Sequence, residues 1–169
     1  FVLNRQFVLA LIHQRPYLVD MECLHQQYLL AIVMKQAGPL ASRPLLVPIY
    51  YEVDEANRQL IEQCQFSLMQ LGVQLDWRGE KTIVVRSLPM LLPQLDIKKF
   101  LQSLKGSFSK ESELLKKLVA SQSFDAYQLS PDDKIELEIY LQQQLSLSAS
   151  SLPWCMHLDA EKCRELVHV

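Results

Sequence analysis

Strand-type and helix-type patterns follow one another along this chain in an order that restricts its fold. Two apolar runs, residues 7–12 and 17–19, flank a short polar turn and predict a β-hairpin. A dense apolar pattern follows Asp20, a residue type suited to an N-cap, and Gly38 with Pro39 predicts the end of this helix. The chain therefore opens with two strands and a buried helix.

The middle of the chain predicts a block of mixed elements. Residues 45–53 have a strand pattern in which Pro48, which lacks an N–H, predicts an edge or a bulge. Asp54 predicts the cap of a long helix that Gly72 ends. Further patterns predict a hairpin over residues 73–77 and 82–88 and two helices around Ile97 and Leu114, with residues 106–109 between them.

A helix start also marks the last third of the chain. Ser130, followed by Pro131 and two acids, predicts an N-cap and first turn. This helix runs to about residue 145, although residues 135–139 also alternate as a strand does. The remaining segments are a serine-rich loop at 146–151, a short strand at 154–158, and a closing helix after Asp159 with Cys163, Leu166 and Val167 on one side.

This order of elements predicts an α+β protein with two lobes. We predict that residues 1–49 and 125–169, which hold the two strand-containing ends, build one lobe. Residues 50–124 then form a second, inserted lobe. The 169 residues suffice for one ordinary core or for two small lobes.

Composition narrows the class of protein. With 49% hydrophobic and 21% charged residues, the chain is typical of a folded globular protein. The net charge of −2 gives no global field that attracts a polyanion, so we do not expect strong autonomous DNA binding. No apolar run reaches the roughly 18 residues that cross a bilayer. Phe1 stands within a strand pattern without an initiator Met, which indicates a fragment rather than a secreted precursor.

The cysteines indicate a reducing compartment. Cys23, Cys64, Cys155 and Cys163 form no C-x-x-C pair, and each lies within an apolar pattern. We expect reduced core thiols in a cytoplasmic protein rather than a disulfide or a zinc site.

One short segment concentrates groups that could ligate a metal. Asp20, Glu22, Cys23 and His25 lie within six residues, but on a helix Glu22 does not share a face with the others. We favour a structural interpretation, in which Asp20 caps the helix and His25 and Gln26 are surface groups. Nor do Ser, His and Asp occur here with the spacing of a nucleophile motif, and no glycine-rich phosphate loop is present.

Three segments together resemble the C-terminal domain of the MutL mismatch-repair family. They are residues 43–53, the helix end at 71–73, and residues 84–89. The resemblance implies a dimerisation lobe, residues 1–49 with 125–169, and an outer regulatory lobe, residues 50–124. Nuclease-bearing members open their first helix with Asp-Gln-His-Ala, two arbitrary residues, Glu, four arbitrary residues and Glu. The corresponding residues here are Asp20, Met21, Glu22, Cys23, Gln26 and Ala31.

Only the first residue of that nuclease motif is present. An amide at Gln26 and a methyl at Ala31 cannot replace the carboxylates that hold metal ions for phosphodiester cleavage. Nuclease-bearing members also carry Cys-x-His-Gly-Arg-Pro near their end, whereas Cys155 and His157 here are not followed by Gly-Arg-Pro. The resemblance therefore implies a member without its own endonuclease, of the methyl-directed type, and no metal or cofactor in this chain.

The resemblance also implies a docking motif for the replicative sliding clamp. The family sequence is similar to Gln-x-x-Leu-x-Pro, and the corresponding residues are Arg43, Pro44, Leu45, Leu46, Val47 and Pro48. Arg43 replaces the Gln, while apolar anchors supply most of the energy of such contacts. A competing interpretation treats residues 45–47 as a buried strand that joins the lobes.

The function implied by the resemblance is mechanical. This domain is expected to hold two protomers of a mismatch-repair protein together while an N-terminal module binds ATP and Mg. Implied partners are the mismatch sensor MutS, a separate nicking endonuclease, a UvrD-type helicase and the sliding clamp. Two rival hypotheses are a divergent metal-dependent nickase using Asp20, Glu22 and His157, and a monomeric adaptor that recognises a partner through residues 45–48.

Several lysines concentrate positive charge in the middle block. They are Lys98, Lys99, Lys105, Lys110, Lys116 and Lys117. Because Asp96, Glu111 and Glu113 dilute this charge, we favour solvated helix faces over a DNA path, with at most a weak DNA contact.

Overall fold

The computed structural model describes residues 1–104, 111–147 and 152–167. Its strands are β1 Phe7–Ile12, β2 Arg15–Asp20, β3 Ser42–Glu52, β4 Gln74–Arg78, β5 Thr82–Pro89 and β6 Cys155–His157. Its helices are α1 Met21–Lys35, α2 Glu55–Gln70, α3 Ile97–Ser103, α4 Glu111–Ala120, α5 Pro131–Leu147 and α6 Ala160–Val167. The predicted α+β class is confirmed. The loop predicted at 106–109, Lys105, Lys110 and residues 148–151 of the serine-rich stretch lie outside the described residues.

The chain divides into two compact units. Residues Phe1–Tyr28 and Phe124–Val169 form the terminal unit, and residues Leu29–Ser123 form the middle unit. The predicted lobes differ from these units in residues 29–49, which belong to the middle unit, and in Phe124, which belongs to the terminal unit. The reason for residues 29–49 is that β3 pairs with β5 and that Leu29 lies in the hydrophobic core of the middle unit.

A three-stranded antiparallel sheet in the order β1-β2-β6 organises the terminal unit. The predicted hairpin is confirmed, but its turn is shorter than residues 13–16. Arg15 and Pro16 pair with β1, and the chain reverses at His13 and Gln14, whose φ angles are 48° and 64°. A core around Val19, Leu24, Leu137 and Leu141 joins the sheet to α1 and α5.

The start of α5 is a capping box. The Asp133 backbone N–H donates to Ser130 Oγ at 3.1 Å, and the Ser130 backbone N–H donates to Asp133 Oδ2 at 3.1 Å. The strand alternative for residues 135–139 is wrong, because this cap begins a helix that buries Leu137 and Leu141 one turn apart.

The middle unit is built on the antiparallel sheet β3-β5-β4. Its core includes Ile61, Leu68, Val85 and Phe100, contributed by α2, β5 and α3. Asp54 caps α2 as predicted, since its Oδ1 accepts the backbone N–H of Asn57 at 2.8 Å.

The closing helix α6 departs from its prediction. Asp159 Oδ1 accepts the backbone N–H of Lys162 at 2.8 Å, which confirms the predicted cap. However, no residue of α6 is buried, so the expected packing of one side, with Cys163 as a core thiol, is wrong. Within the described residues, no helix is both long and apolar enough to cross a membrane.

Candidate interaction surfaces and the nuclease-motif segment

The carboxylate of Asp20 is used in capping α1. Its Oδ1 accepts the backbone N–H of Cys23 at 3.1 Å, and its Oδ2 accepts Nε2 of Gln6 at 3.0 Å. These two hydrogen bonds engage both oxygens and place Asp20 where the first turn of the helix needs an acceptor. This geometry matches the structural interpretation of Asp20.

The sheet brings the two segments compared with nuclease motifs next to each other. The backbone N–H of Asp20 donates to the carbonyl of Trp154 at 2.9 Å, and β2 pairs Val19 with Cys155. His157 lies opposite Tyr17, with 5.2 Å between the ring centroids. The fold therefore places these segments side by side although they are far apart in sequence.

In this region the thiols of Cys23 and Cys155 favour their protonated form, and the rings of Tyr17 and His157 pack together. Burial raises the pKa of Cys155 to about 11, and burial together with Asp20 raises the pKa of Cys23. A thiol binds a metal as its thiolate, so both shifts oppose ligation. Among the side chains that the structure describes, no group of three His, Cys, Asp or Glu could hold a metal ion.

The four cysteines are free, but they are not uniformly core residues. Cys64 and Cys155 are buried as predicted, whereas Cys23 is half-buried and Cys163 is exposed. Burial raises the pKa of Cys64 to about 11.

His25 is more enclosed than a surface group. Its ring lies 5.2 Å from that of Phe124, centroid to centroid. Burial lowers the pKa of His25, and the opposing influence of the Asp133 carboxylate is smaller. The sequence interpretation missed this packing because Phe124 lies about a hundred positions away along the chain.

The candidate clamp motif forms a bulge on β3. Pro44 pairs with Ser87 and Ile49 pairs with Val85, so the four residues 45–48 oppose the single residue Arg86. The prediction that Pro48 marks an edge or a bulge is confirmed, because β3 is an edge strand of its sheet and carries this bulge. The interpretation of residues 45–47 as a buried strand is wrong for two of them, because Leu46 is 103% exposed and Val47 is 77% exposed.

Two neighbours hold this bulge in place. Leu45 packs against the core of the middle unit. Arg43 donates from its guanidinium to the carbonyl of Pro93 at 2.6 Å. Pro48 also lines a groove of about 600 Å³ with Tyr50, Leu95 and Lys98. The bulge therefore presents Leu46 and Val47 from an anchored base.

An apolar hollow opens in the terminal unit. It measures about 340 Å³ and is lined largely by apolar side chains of β1, α1 and α5, with Lys134 and Glu138 among its polar lining residues. Leu11, which also lines it, is 73% exposed. A sequence signal was available, since all six residues of β1 are apolar and neighbouring side chains point to opposite faces of a sheet.

Charge is distributed unequally between the two units. The terminal unit carries five Lys and Arg against ten Asp and Glu, and the middle unit carries twelve against nine. Lys98, Lys99 and Lys116 are exposed, while Lys117 donates from Nζ to the carbonyl of Ser103 at 2.8 Å. The exposed lysines agree with solvated helix faces.

An α+β scaffold that exposes an apolar bulge and an apolar hollow has the features of a protein-interaction domain. Comparison with known proteins specifies the class. Residues 1–127 match the family model described as the MutL C terminal dimerisation domain. The chain belongs to this family.

Individual relatives agree with this assignment. The DNA mismatch repair protein MutL of Chromohalobacter salexigens is 25% identical over 115 residues, which is 64% of this chain and 18% of that protein. MutL of Petrotoga mobilis is 26% identical over 132 residues, 73% of this chain and 21% of that protein. MutL of Pseudomonas fluorescens is 33% identical over 82 residues, 47% of this chain and 13% of that protein. The chain thus spans about a fifth or less of the length of these relatives.

Proposed function

We propose that this chain is a non-catalytic homodimerisation domain that acts in DNA mismatch repair, and that the terminal unit makes the dimer contact. The observation that carries the proposal is the open apolar hollow in a chain whose family is a dimerisation domain. A two-fold dimer needs a self-complementary surface, and apolar side chains at its centre supply most of the driving force.

Sedimentation equilibrium over a wide concentration range tests this function. The parent chain is expected to be dimeric, and Leu11→Asp, at the hollow, is expected to weaken the dimer. Leu46→Asp is the matched control, because it introduces the same charge at an exposed leucine of the middle unit. A parent chain that stays monomeric at high concentration would overturn the proposal and favour the monomeric adaptor.

In the complete protein, this domain would hold two protomers together. An N-terminal module would close on ATP with Mg, and the dimer would form a ring on DNA. The dimer would then relay mismatch recognition from MutS to a separate nicking endonuclease and a UvrD-type helicase. The middle unit would be the regulatory lobe. Its positive balance of charge supports at most a weak, salt-dependent DNA contact.

Clamp docking is a second proposed function, and the exposed bulge favours it. Leu46 and Val47 project from an anchored base, which is the arrangement that apolar anchors need to enter a pocket. Arg43 occupies the position of the family Gln, but its guanidinium donates to the carbonyl of Pro93. We therefore propose that the polar contact made by the family Gln has no counterpart in this docking.

Binding to the sliding clamp tests the bulge separately from the dimer. Leu46→Asp and Val47→Asp are each expected to reduce the affinity at least tenfold in a titration against purified clamp, about 1.4 kcal/mol. Leu11→Asp, in the other unit, is the control and should bind as the parent does. Equal binding by parent and Leu46→Asp would exclude the bulge as the docking element.

The divergent nickase remains the enzyme alternative. It assigns metal binding to Asp20, Glu22 and His157, yet Asp20 already accepts two hydrogen bonds. We expect no manganese-dependent nicking of supercoiled DNA by the purified chain. Nicking that Asp20→Asn abolishes would overturn the non-catalytic assignment.

A further inference from the structure

The helix α6 presents an apolar side that nothing in the described part of the chain covers. Cys163, Leu166 and Val167 are all exposed, the last two at 55% and 77%. Their spacing of three and four positions places them on one side of the helix. A helix of eight residues is unstable in water on its own, because so few hydrogen bonds do not offset the cost of nucleation. This helix therefore needs a packing partner.

The hollow of the terminal unit and α6 adjoin different strands of the sheet. Strand β1, which lines the hollow, is at one edge of the sheet β1-β2-β6. Strand β6, which α6 follows, is at the other edge. When two copies meet about a two-fold axis, the apolar side of α6 in each copy can dock into the hollow of the other. The same contact then forms twice.

A charged residue borders each of the two surfaces. Arg164 lies three positions before Val167, so it borders the apolar side of α6. Glu138 lines the hollow. Arg164 forms no salt bridge with another described residue. Pairing Arg164 with Glu138 of the second copy would help to fix the direction in which α6 docks.

We propose that α6 is an exchanged arm: the apolar side of α6 in each protomer docks into the hollow of a second copy of this chain. This inference rests on the proposed dimerisation and names the contact that makes it. The family model matches residues 1–127. The proposal therefore also assigns a role to α6, which lies beyond that match.

Cross-linking through Cys163 tests the arm directly. Cys163 is an exposed thiol on α6, and Leu11→Cys places a second exposed thiol at the hollow. A short bismaleimide is expected to link position 11 of one copy to Cys163 of the other, giving a covalent dimer that peptide mass spectrometry assigns. Met34→Cys is the control, because Met34 is exposed in the middle unit. It should give no link to Cys163.

Two sets of variants measure the energy of the contact in sedimentation equilibrium. Leu166→Asp with Val167→Asp is expected to weaken the dimer at least tenfold. Arg164→Glu should weaken it several-fold, and adding Glu138→Arg should restore it. If the parent is a dimer that shows no 11–163 link and tolerates the α6 variants, the arm is wrong and dimerisation stands. A monomeric parent would overturn both.

Discussion

At the scale of single residues, polar side chains that resemble catalytic groups maintain the architecture of α1. Asp20 caps the helix, and His25 packs on Phe124 in a partly enclosed site. The cap was predictable, because an N-cap is decided by its own first turn. The environment of His25 was not, because it depends on a residue from the other end of the chain.

His25 should make stability depend on pH. Burial depresses its pKa in the folded state below the ordinary value of 6.5, so the unfolded chain takes up a proton first as the pH falls. The unfolding free energy that neutral His25 contributes is therefore fully present above pH 6.5 and is lost as the pH falls below it. We expect His25→Gln to reduce the loss of unfolding free energy between about pH 7.5 and about pH 5. Urea denaturation at each pH measures it, and parallel curves for parent and variant would contradict this account.

At the scale of elements, the sequence predicted where the helices and strands lie more reliably than it predicted which of their residues are buried. Periodicity predicted all twelve elements of the described chain, and the start of α5 follows from its capping box. Predictions about burial were weaker. Leu46 and Val47 are exposed because the bulge lifts them from the sheet, and α6 is exposed because none of the described elements buries any of its residues. The hydrophobic pattern of a helix does not show whether its apolar side is buried within its own chain or exposed for contact with another molecule.

The connection between α2 and β4 shows where backbone geometry limits substitution. Gly72 has a φ of +81°, and a Cβ there would lie 3.2 Å from the Cα of Pro89. Gly38 has a φ of +94°, but a Cβ there meets nothing within 4 Å. Both Ala variants bear the left-handed strain, of about 1 kcal/mol, and only Gly72→Ala adds the contact with Pro89. We expect Gly72→Ala to lower the unfolding free energy more than Gly38→Ala, and equal losses in urea denaturation would contradict this.

At the scale of the whole molecule, the order of elements predicted two lobes, residues 1–49 with 125–169 and residues 50–124. The sequence placed the division at residue 49, within the strand β3. The structure assigns residues 29–49 to the middle unit, since β3 is completed by β5 and the end of α1 packs into that unit's core. Strand pairing is non-local, so single-chain periodicity cannot predict it. The same limit applies to the hollow, whose lining comes from both ends of the chain.

The separate cores of the two units allow dimerisation to be assigned to one of them. Residues of the middle-unit core all lie within 29–123, so a fragment of residues 21–123 should retain that core. Met21→Gln and Leu24→Gln would remove apolar side chains that normally lie in the core of the terminal unit. We expect this fragment to unfold cooperatively in urea and to sediment as a monomer, because it lacks the hollow and α6, while the parent chain dimerises. A folded fragment that dimerises as tightly as the parent would place the contact on the middle unit instead.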